Sequence, residues 1–184
     1  MKNNEGLSLV ELIIVVSIMA VLIGFISIGF NVVSGMDAKE CANDLNAYLK
    51  ETKTSALSKD YQELKIYVGA DGKSYVDFVV YQYQDDPANP GVVLPDPVPV
   101  VSRTELIGKS SVSIQCKFSD GSLLNIGTAS GNVTLGFDRA SGAFTYAKIN
   151  DIQTSLYCTQ INITKKSRSY TIELIPSTGK QILK

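Results

Sequence analysis

The sequence predicts an α+β fold in which one long N-terminal helix packs on antiparallel β-sheets. Three observations lead to this prediction: an apolar run over residues 7–30, a helical period over residues 31–60, and a period of two that begins at Glu63. No further helical pattern of convincing length separates the later segments, so consecutive strands are expected to pair antiparallel against the helix. About 154 of the 184 residues follow the apolar run, which is enough for one domain with its own core.

The apolar run, LSLVELIIVVSIMAVLIGFISIGF, has a single charged residue, Glu11. As a helix its 24 residues extend about 36 Å, which suffices to cross the ~30 Å hydrocarbon core of a bilayer. The run is longer than the apolar part of a secretory signal peptide, and it has no polar face. It therefore predicts a transmembrane helix.

Glu11 needs a cationic partner, because an ionised carboxylate inside a membrane helix costs about 2.5 kcal/mol or more. Cleavage after Gly6 would place a new positive amine on Leu7, one helical turn from Glu11. This arrangement, within the run E-G-L-S-L-V-E-L, resembles the type IV prepilin signature.

The resemblance implies that a membrane prepilin peptidase/methyltransferase cuts between Gly6 and Leu7. This cut removes a leader of residues 1–6, and the enzyme then methylates Leu7. It also implies that Glu11 pairs with the amine of a neighbouring subunit during assembly. The sequence departs from the family pattern at Leu7, where phenylalanine is usual, and at Ile28, where major pilins commonly have proline.

The charges that flank the run predict its orientation. Lys2 precedes it, and Asp37, Lys39, Glu40 and Asp44 follow it with a net negative balance. The positive-inside rule then places the amino terminus in the cytoplasm and the globular head, residues 31–184, outside. We expect a single-pass protein of the plasma (inner) membrane that later joins a cell-surface or periplasmic filament.

The composition argues against an enzyme. The chain has no histidine, which is the commonest general base and metal ligand. It also shows no nucleophile elbow, phosphate-binding glycine loop or metal-ligand cluster. We therefore expect no catalytic residue, no cofactor and no metal. The formal net charge of -1 gives no strong electrostatic footprint for nucleic acid.

The three cysteines, Cys41, Cys116 and Cys158, form no C-x-x-C unit. In an exported domain Cys116 and Cys158 can form a disulfide between two strands and leave Cys41 free. Three buried thiols are the alternative, because the sequence does not reveal the redox state of the compartment.

The helix is expected to continue to residue 60, with Ser34 and Gly35 as its weakest point. Residues at steps of three and four form a stripe that faces the globular body: Ala38, Cys41, Ala42, Leu45, Leu49, Thr52, Ala56 and Leu57.

A hairpin is predicted next, with Leu64 to Val68 and Tyr75 to Tyr83 joined by the turn residues G-A-D-G-K at 69–73. Further strands are predicted at 100–107, 112–118, 132–138, 143–149, 156–163, 170–175 and 181–183. Turn signals separate them at 119–121, 139–142, 165–168 and 176–179.

Residues 85–100 hold five of the six prolines and predict an exposed loop or a partly extended edge. Asp85, Asp86 and Asp96 lack the spacing of a dedicated calcium loop, so they make a poor calcium site. Lys165, Lys166 and Arg168 form a small basic turn that can contact phosphate or simply end a hairpin in solvent.

The order of elements resembles the H-type minor pseudopilins of type II secretion and the FimT-like minor pilins. The segments that carry this resemblance are the strand run from Glu63, G-F-D-R-A-S-G at 136–142 and I-E-L-I-P-S-T-G-K at 172–180. It implies a minor pilin or pseudopilin that assembles with other subunits on an inner-membrane assembly platform. The alternative is a filament-associated binding module for DNA, surfaces or a secreted substrate. Pilus, secretion and competence systems all remain open.

Overall fold

The computed structural model describes residues 9–58, 62–85, 93–109, 111–127 and 131–184, with residues 24–36 and 62 described by their backbone alone. It confirms the predicted α+β fold, because one helix, α1 (Leu9–Ser58), packs on antiparallel sheets. The helix continues without a break through Ser34 and Gly35. Residues 59 and 60, the predicted end of the helix, lie outside the described residues.

The described strands, in chain order, are β1 (Gln62–Val68), β2 (Ser74–Gln82), β3 (Val98–Gly108), β4 (Ser113–Phe118), β5 (Leu123–Ile126), β6 (Val133–Phe137), β7 (Phe144–Ile149), β8 (Ile152–Thr154), β9 (Cys158–Lys165), β10 (Arg168–Ile175) and β11 (Lys180–Leu183). One sheet has six strands in the order β3-β2-β1-β6-β7-β8, and the other has five in the order β11-β10-β9-β4-β5. Neighbouring strands are antiparallel in both sheets, as predicted.

The predicted β1–β2 hairpin is confirmed. Its register runs from Gln62 opposite Val80 to Val68 opposite Ser74. The N–H of Gly69 donates to the carbonyl of Lys73 over 2.9 Å and closes the turn. Gly72 has a φ of 74°, a left-handed conformation that glycine adopts without the steric cost of a side chain.

The core lies between α1 and the two sheets. The second half of the helix contacts β1, β3 and β6 of the larger sheet and β9, β10 and β11 of the smaller one. Most of the predicted stripe is confirmed as buried, namely Ala38, Cys41, Ala42, Leu45, Leu49, Thr52 and Ala56. A fully buried leucine contributes about 1.5–3 kcal/mol, so this stripe fixes the helix to both sheets.

Leu57 is the exception, and its predicted burial is wrong, since 47% of its surface is exposed. The smaller Ala56 takes the core position, and Leu57 lies about 100° further around the helix. There its Cδ1 atom approaches the turn at Gly142 instead of the core.

Two short strands, β5 and β8, were not predicted. β8 has only three residues and pairs with β7 after a turn in which Asn150 and Asp151 have φ values of 53° and 64°. β5 has four residues and follows the turn at Gly121. Neither segment is long enough to show a clear period of two in the sequence.

The proline-rich segment agrees with the edge prediction where it is described. Residues 86–92 lie outside the described residues, while Asp85 forms a single antiparallel bridge with Val93. Pro99 lies in β3, which is an edge strand, the place in a sheet where proline is tolerated.

In the part of the chain that the structure describes, no helical segment has both the length and the apolar character needed to cross a membrane. The predicted run extends beyond that part. Residues 7 and 8 lie outside the described residues, and so do the side chains of residues 24–30.

Candidate functional site

The first functional region is the N-terminal part of α1, residues 9–23, here called the apolar stalk. Its large apolar side chains have between 50% and 75% of their surface exposed. Ser17 donates its hydroxyl to the carbonyl of Ile13 over 2.8 Å, so its polar group is satisfied within the helix. A contiguous apolar surface of this kind marks a site of association with lipid or with another protein.

Glu11 lies in the first turn of the described helix, within the apolar stalk. Its side chain is exposed beside those of the stalk. Gly6 and Leu7, the predicted cleavage and methylation positions, lie outside the described residues. Cleavage between them and methylation of Leu7 therefore stay predictions, as does the assembly role of Glu11.

A cluster of charged residues holds α1 to both sheets at Asp37, just before the buried stripe of the helix. Asp37 accepts hydrogen bonds from the Nζ of Lys165 over 2.6 Å and from the Nζ of Lys109 over 3.2 Å. Lys165 ends β9 of one sheet, and Lys109 follows β3 of the other. These bonds hold the pKa of Asp37 below its ordinary value, with Lys165 as the largest cause. Lys165, one of the three cations in the predicted basic turn, is therefore bound by Asp37 of the helix.

The second functional region is a cleft of about 710 Å³ at one end of the six-stranded sheet, here called the tyrosine cleft. The described residues that line it are Tyr81, Gln82, Tyr83, Pro97, Arg139, Tyr146 and Gln153. They come from β2, β7 and β8, from the turn after β6, from the residue that follows β2 and from the end of the proline-rich segment just before β3.

Beneath this cleft lies a buried carboxylate, Glu63, with 2% of its surface exposed. Residues alternate between the faces of a strand, so Glu63 lies on the face of β1 opposite Leu64, which belongs to the core. Lys148 lies 2.7 Å from Glu63 Oε1 and forms an ion pair with it. Tyr81 donates its hydroxyl to Glu63 over 2.9 Å, and Tyr146 donates to the same oxygen.

Lys148 is held by the same group of residues. Its Nζ lies 2.6 Å from the Tyr81 hydroxyl and within 5.8 Å of the centroid of the Tyr146 ring. Burial lowers the pKa of Lys148, but its hydrogen bonds to Glu63 and Tyr81 outweigh burial, so the pKa is raised overall. Lys148 therefore stays charged and neutralises Glu63.

Gly136 sets the position of the Tyr146 ring. The two residues are opposite each other in the β6–β7 pair, and Gly136 is also opposite Glu63 in the β1–β6 pair. A Cβ atom on Gly136 would lie 2.3 Å from Cζ of Tyr146. The ring thus lies across the glycine, and this brings its hydroxyl to Glu63.

Sequence reasoning did not find this cluster. The alternation in YVDFVVYQY places Tyr81 on the outer face of β2, but the same pattern is typical of any half-buried strand. Lys148 and Glu63 are separated by 85 residues, so only the strand order reveals their contact.

A smaller cleft of about 420 Å³ lies on the same sheet, beside Asp77. The Asp77 carboxylate accepts hydrogen bonds from Thr104 over 2.6 Å and from Tyr67 over 3.3 Å. Burial raises the pKa of Tyr67, and the charge of Asp77 adds to this shift. The carboxylate is thus satisfied within the protein.

The described residues contain no disulfide and no arrangement of side chains that would bind a metal. No group of three or more histidine, cysteine, aspartate or glutamate side chains among these residues is arranged to bind a metal. Asp86, one of the three carboxylates considered for calcium, lies outside the described residues.

Cys41, Cys116 and Cys158 are buried free thiols. Cys116 and Cys158 are nevertheless hydrogen-bonded neighbours, and this bond together with burial raises the pKa of Cys116 well above its usual range. Their disulfide stays a prediction.

Comparison with known proteins supports the N-terminal assignment. Residues 1–27 match the family described as the prokaryotic N-terminal methylation motif. No curated protein matches the chain. A solved structure, the type IV minor pilin FimU of Pseudomonas aeruginosa strain PAO1, is similar over 79% of this chain and 87% of its own. Its identity to this chain is 15%, and the TM-score is 0.40. The methylation motif at residues 1–27 supports the resemblance of this chain to type IV pilins.

Proposed function

We propose that the chain is a minor pilin or pseudopilin subunit that is cleaved after Gly6, methylated on Leu7 and assembled into a filament. The observation that carries this proposal is the apolar stalk, which lies within the segment that matches the methylation motif. The mature protein would be anchored in the inner membrane by the stalk, with its head outside. Its partners would be the prepilin peptidase, other pilin subunits and the inner-membrane assembly platform.

The stalk suits a filament because its apolar side chains can exchange lipid contacts for contacts with neighbouring stalks. Removing such surface from water contributes about 25 cal/mol per Å², so stalks outside the membrane associate strongly. Apolar contact has no direction and does not fix the stagger between two helices. A charge pair between Glu11 and the terminal amine of a neighbouring Leu7 would fix this stagger, since the two groups attract each other strongly at low dielectric.

This proposal assigns the chain a structural role rather than an enzymatic one. The polar groups of its buried clusters are mutually satisfied: Lys148 pairs with Glu63, and Asp77 is bound by Thr104 and Tyr67. Repetition of one stalk contact without closure of a ring would produce an open filament. Type IV pili, type II secretion pseudopili and competence pseudopili all fit this description.

The proposal is tested by the incorporation of Glu11→Leu into sheared filaments in cells that also express the sister subunits. We expect cleavage to remain normal and incorporation to fall at least tenfold. Glu40→Gln is the matched control, because it removes an exposed carboxylate from the same helix outside the stalk. Normal incorporation of Glu11→Leu would contradict the assembly role of Glu11.

A second candidate function is a filament-associated binding module for DNA, a surface or a secreted substrate. The tyrosine cleft favours it, since the cleft is a formed cavity in the head, away from the stalk. Lys165 and Lys148 are both paired with carboxylates, and this argues against DNA as the ligand. Normal filaments in a cleft variant that has lost adhesion or uptake would support the module, whereas loss of the filaments would support a structural role.

A further inference from the structure

The tyrosine cleft has the volume and the lining of a small-molecule site. Its volume of about 710 Å³ lies within the range of small-molecule sites. Three tyrosine rings and Pro97 supply apolar surface, and Gln82, Arg139 and Gln153 supply hydrogen-bonding groups at its rim. Mixed apolar walls with a few polar groups are typical of sites that bind one class of small molecule.

Two of the three rings are fixed before any ligand binds. The hydroxyl groups of Tyr81 and Tyr146 both bond to the buried carboxylate of Glu63, and Gly136 leaves room for the Tyr146 ring. A site whose side chains are already ordered loses less conformational entropy on binding. Tyr83 is different, because 67% of its surface is exposed and its ring is available at the rim.

The charge of the cleft restricts the ligand class. Among the described lining residues Arg139 is the only charged one. Single-stranded nucleic acid requires a positively charged groove along its backbone as well as aromatic rings, and Lys148 is neutralised by Glu63. A wholly apolar ligand would leave the amides of Gln82 and Gln153 without partners, at a cost of about 1–3 kcal/mol for each group that becomes buried.

A pyranose ring matches both features, because its faces carry C–H groups and its edge carries hydroxyls. The tyrosine rings can cover the faces, and the amides can donate to and accept from the hydroxyls. We propose that the tyrosine cleft binds a neutral saccharide, with Tyr83 and Gln153 in direct contact with it. This inference does not depend on the filament proposal, since the cleft lies entirely in the head.

The test uses the full chain in a phosphocholine detergent, because glycoside detergents would compete for the cleft. A glycan array of neutral oligosaccharides is screened, and the best binder is titrated by saturation-transfer-difference NMR. We expect at least one saccharide to bind with a Kd of millimolar or lower. Tyr83→Ala and Gln153→Ala should each weaken it at least tenfold.

Tyr157→Ala is the matched control, because Tyr157 is an exposed tyrosine that does not line the cleft. It should leave the affinity unchanged, and thermal melting should show that all three variants fold. The proposal is overturned if no saccharide binds, if Tyr83→Ala binds as tightly as the parent, or if a dT oligonucleotide or a peptide competes for Tyr83 while saccharides do not. Filament incorporation of Tyr83→Ala should be normal, which separates this test from that of the assembly role.

Discussion

Asp37 on the helix and Lys165 at the end of β9 form an ion pair with a separation of 2.6 Å, although 128 residues separate them in sequence. Only 16% of the Asp37 side chain and 10% of the Lys165 side chain are exposed. Lys109 approaches the same carboxylate from the other sheet. The helix is thus fixed to both sheets at Asp37, just before its buried stripe begins. A force applied to the stalk would therefore be transmitted to both sheets.

The Asp37→Asn substitution should lower the free energy of unfolding by about 1.5–3 kcal/mol, the range for hydrogen bonds to charged groups. Lys109→Gln should cost less than about 1 kcal/mol, because Lys109 is 64% exposed and its bond is longer. Urea unfolding followed by circular dichroism measures both. An equal or larger effect of Lys109→Gln would show that Lys165 is not the principal partner.

The pKa of Asp37 also predicts a pH dependence. Because the folded pKa lies below the ordinary value, the unfolded chain binds the proton more readily as pH falls. The contribution of Asp37 is therefore complete above pH 5 and is lost as the pH falls through the ordinary carboxyl pKa towards the lower folded one. The stability difference between the parent and Asp37→Asn should shrink between pH 5 and pH 2. A constant difference over that range would contradict the assignment.

Lys148→Met should destabilise the head by about 3–5 kcal/mol, because it leaves the buried Glu63 carboxylate without its cation. The double variant Glu63→Gln/Lys148→Met removes both charges and should lose less than the sum of the two single changes. A double-mutant cycle from urea unfolding measures this coupling. Additive effects would mean that the ion pair contributes nothing.

Gly136→Ala should displace the Tyr146 ring, because the new Cβ would meet it at 2.3 Å. We expect a loss of about 1–3 kcal/mol, as for other overpacked sites. In a Tyr146→Ala background the same change should cost at least about 1 kcal/mol less, since the clash is gone. If Gly136→Ala costs the same stability in the Tyr146→Ala background, the new Cβ atom does not clash with the Tyr146 ring.

The cysteines can be counted with a thiol reagent. None of the three should react in the folded protein at pH 8, since all are buried and burial raises the pKa of Cys41 to about 12. After unfolding without reductant, three reactive thiols would match the free cysteines of the structure. One thiol would instead reveal a Cys116–Cys158 disulfide, and rapid reaction of the folded protein would contradict the burial of these residues.

The features that were predicted from the sequence are those with local patterns. The helix stripe repeats every three or four residues, and the β1–β2 hairpin combines a period of two with turn residues at 69–73. Leu57 was misplaced because the stripe included both Ala56 and Leu57, and the period alone does not show which of these neighbours is buried. The tyrosine cleft was missed because Tyr81 and Tyr146 meet only through the strand order β2-β1-β6-β7.

The central claim is that the chain matures by cleavage after Gly6. Its most direct test is the mass and N-terminal residue of the protein purified from cells with and without the prepilin peptidase. With the peptidase, we predict a chain that starts at Leu7 and carries one methyl group. Without it, the chain should retain Met1. A protein that keeps residues 1–6 in cells with an active peptidase would contradict the account.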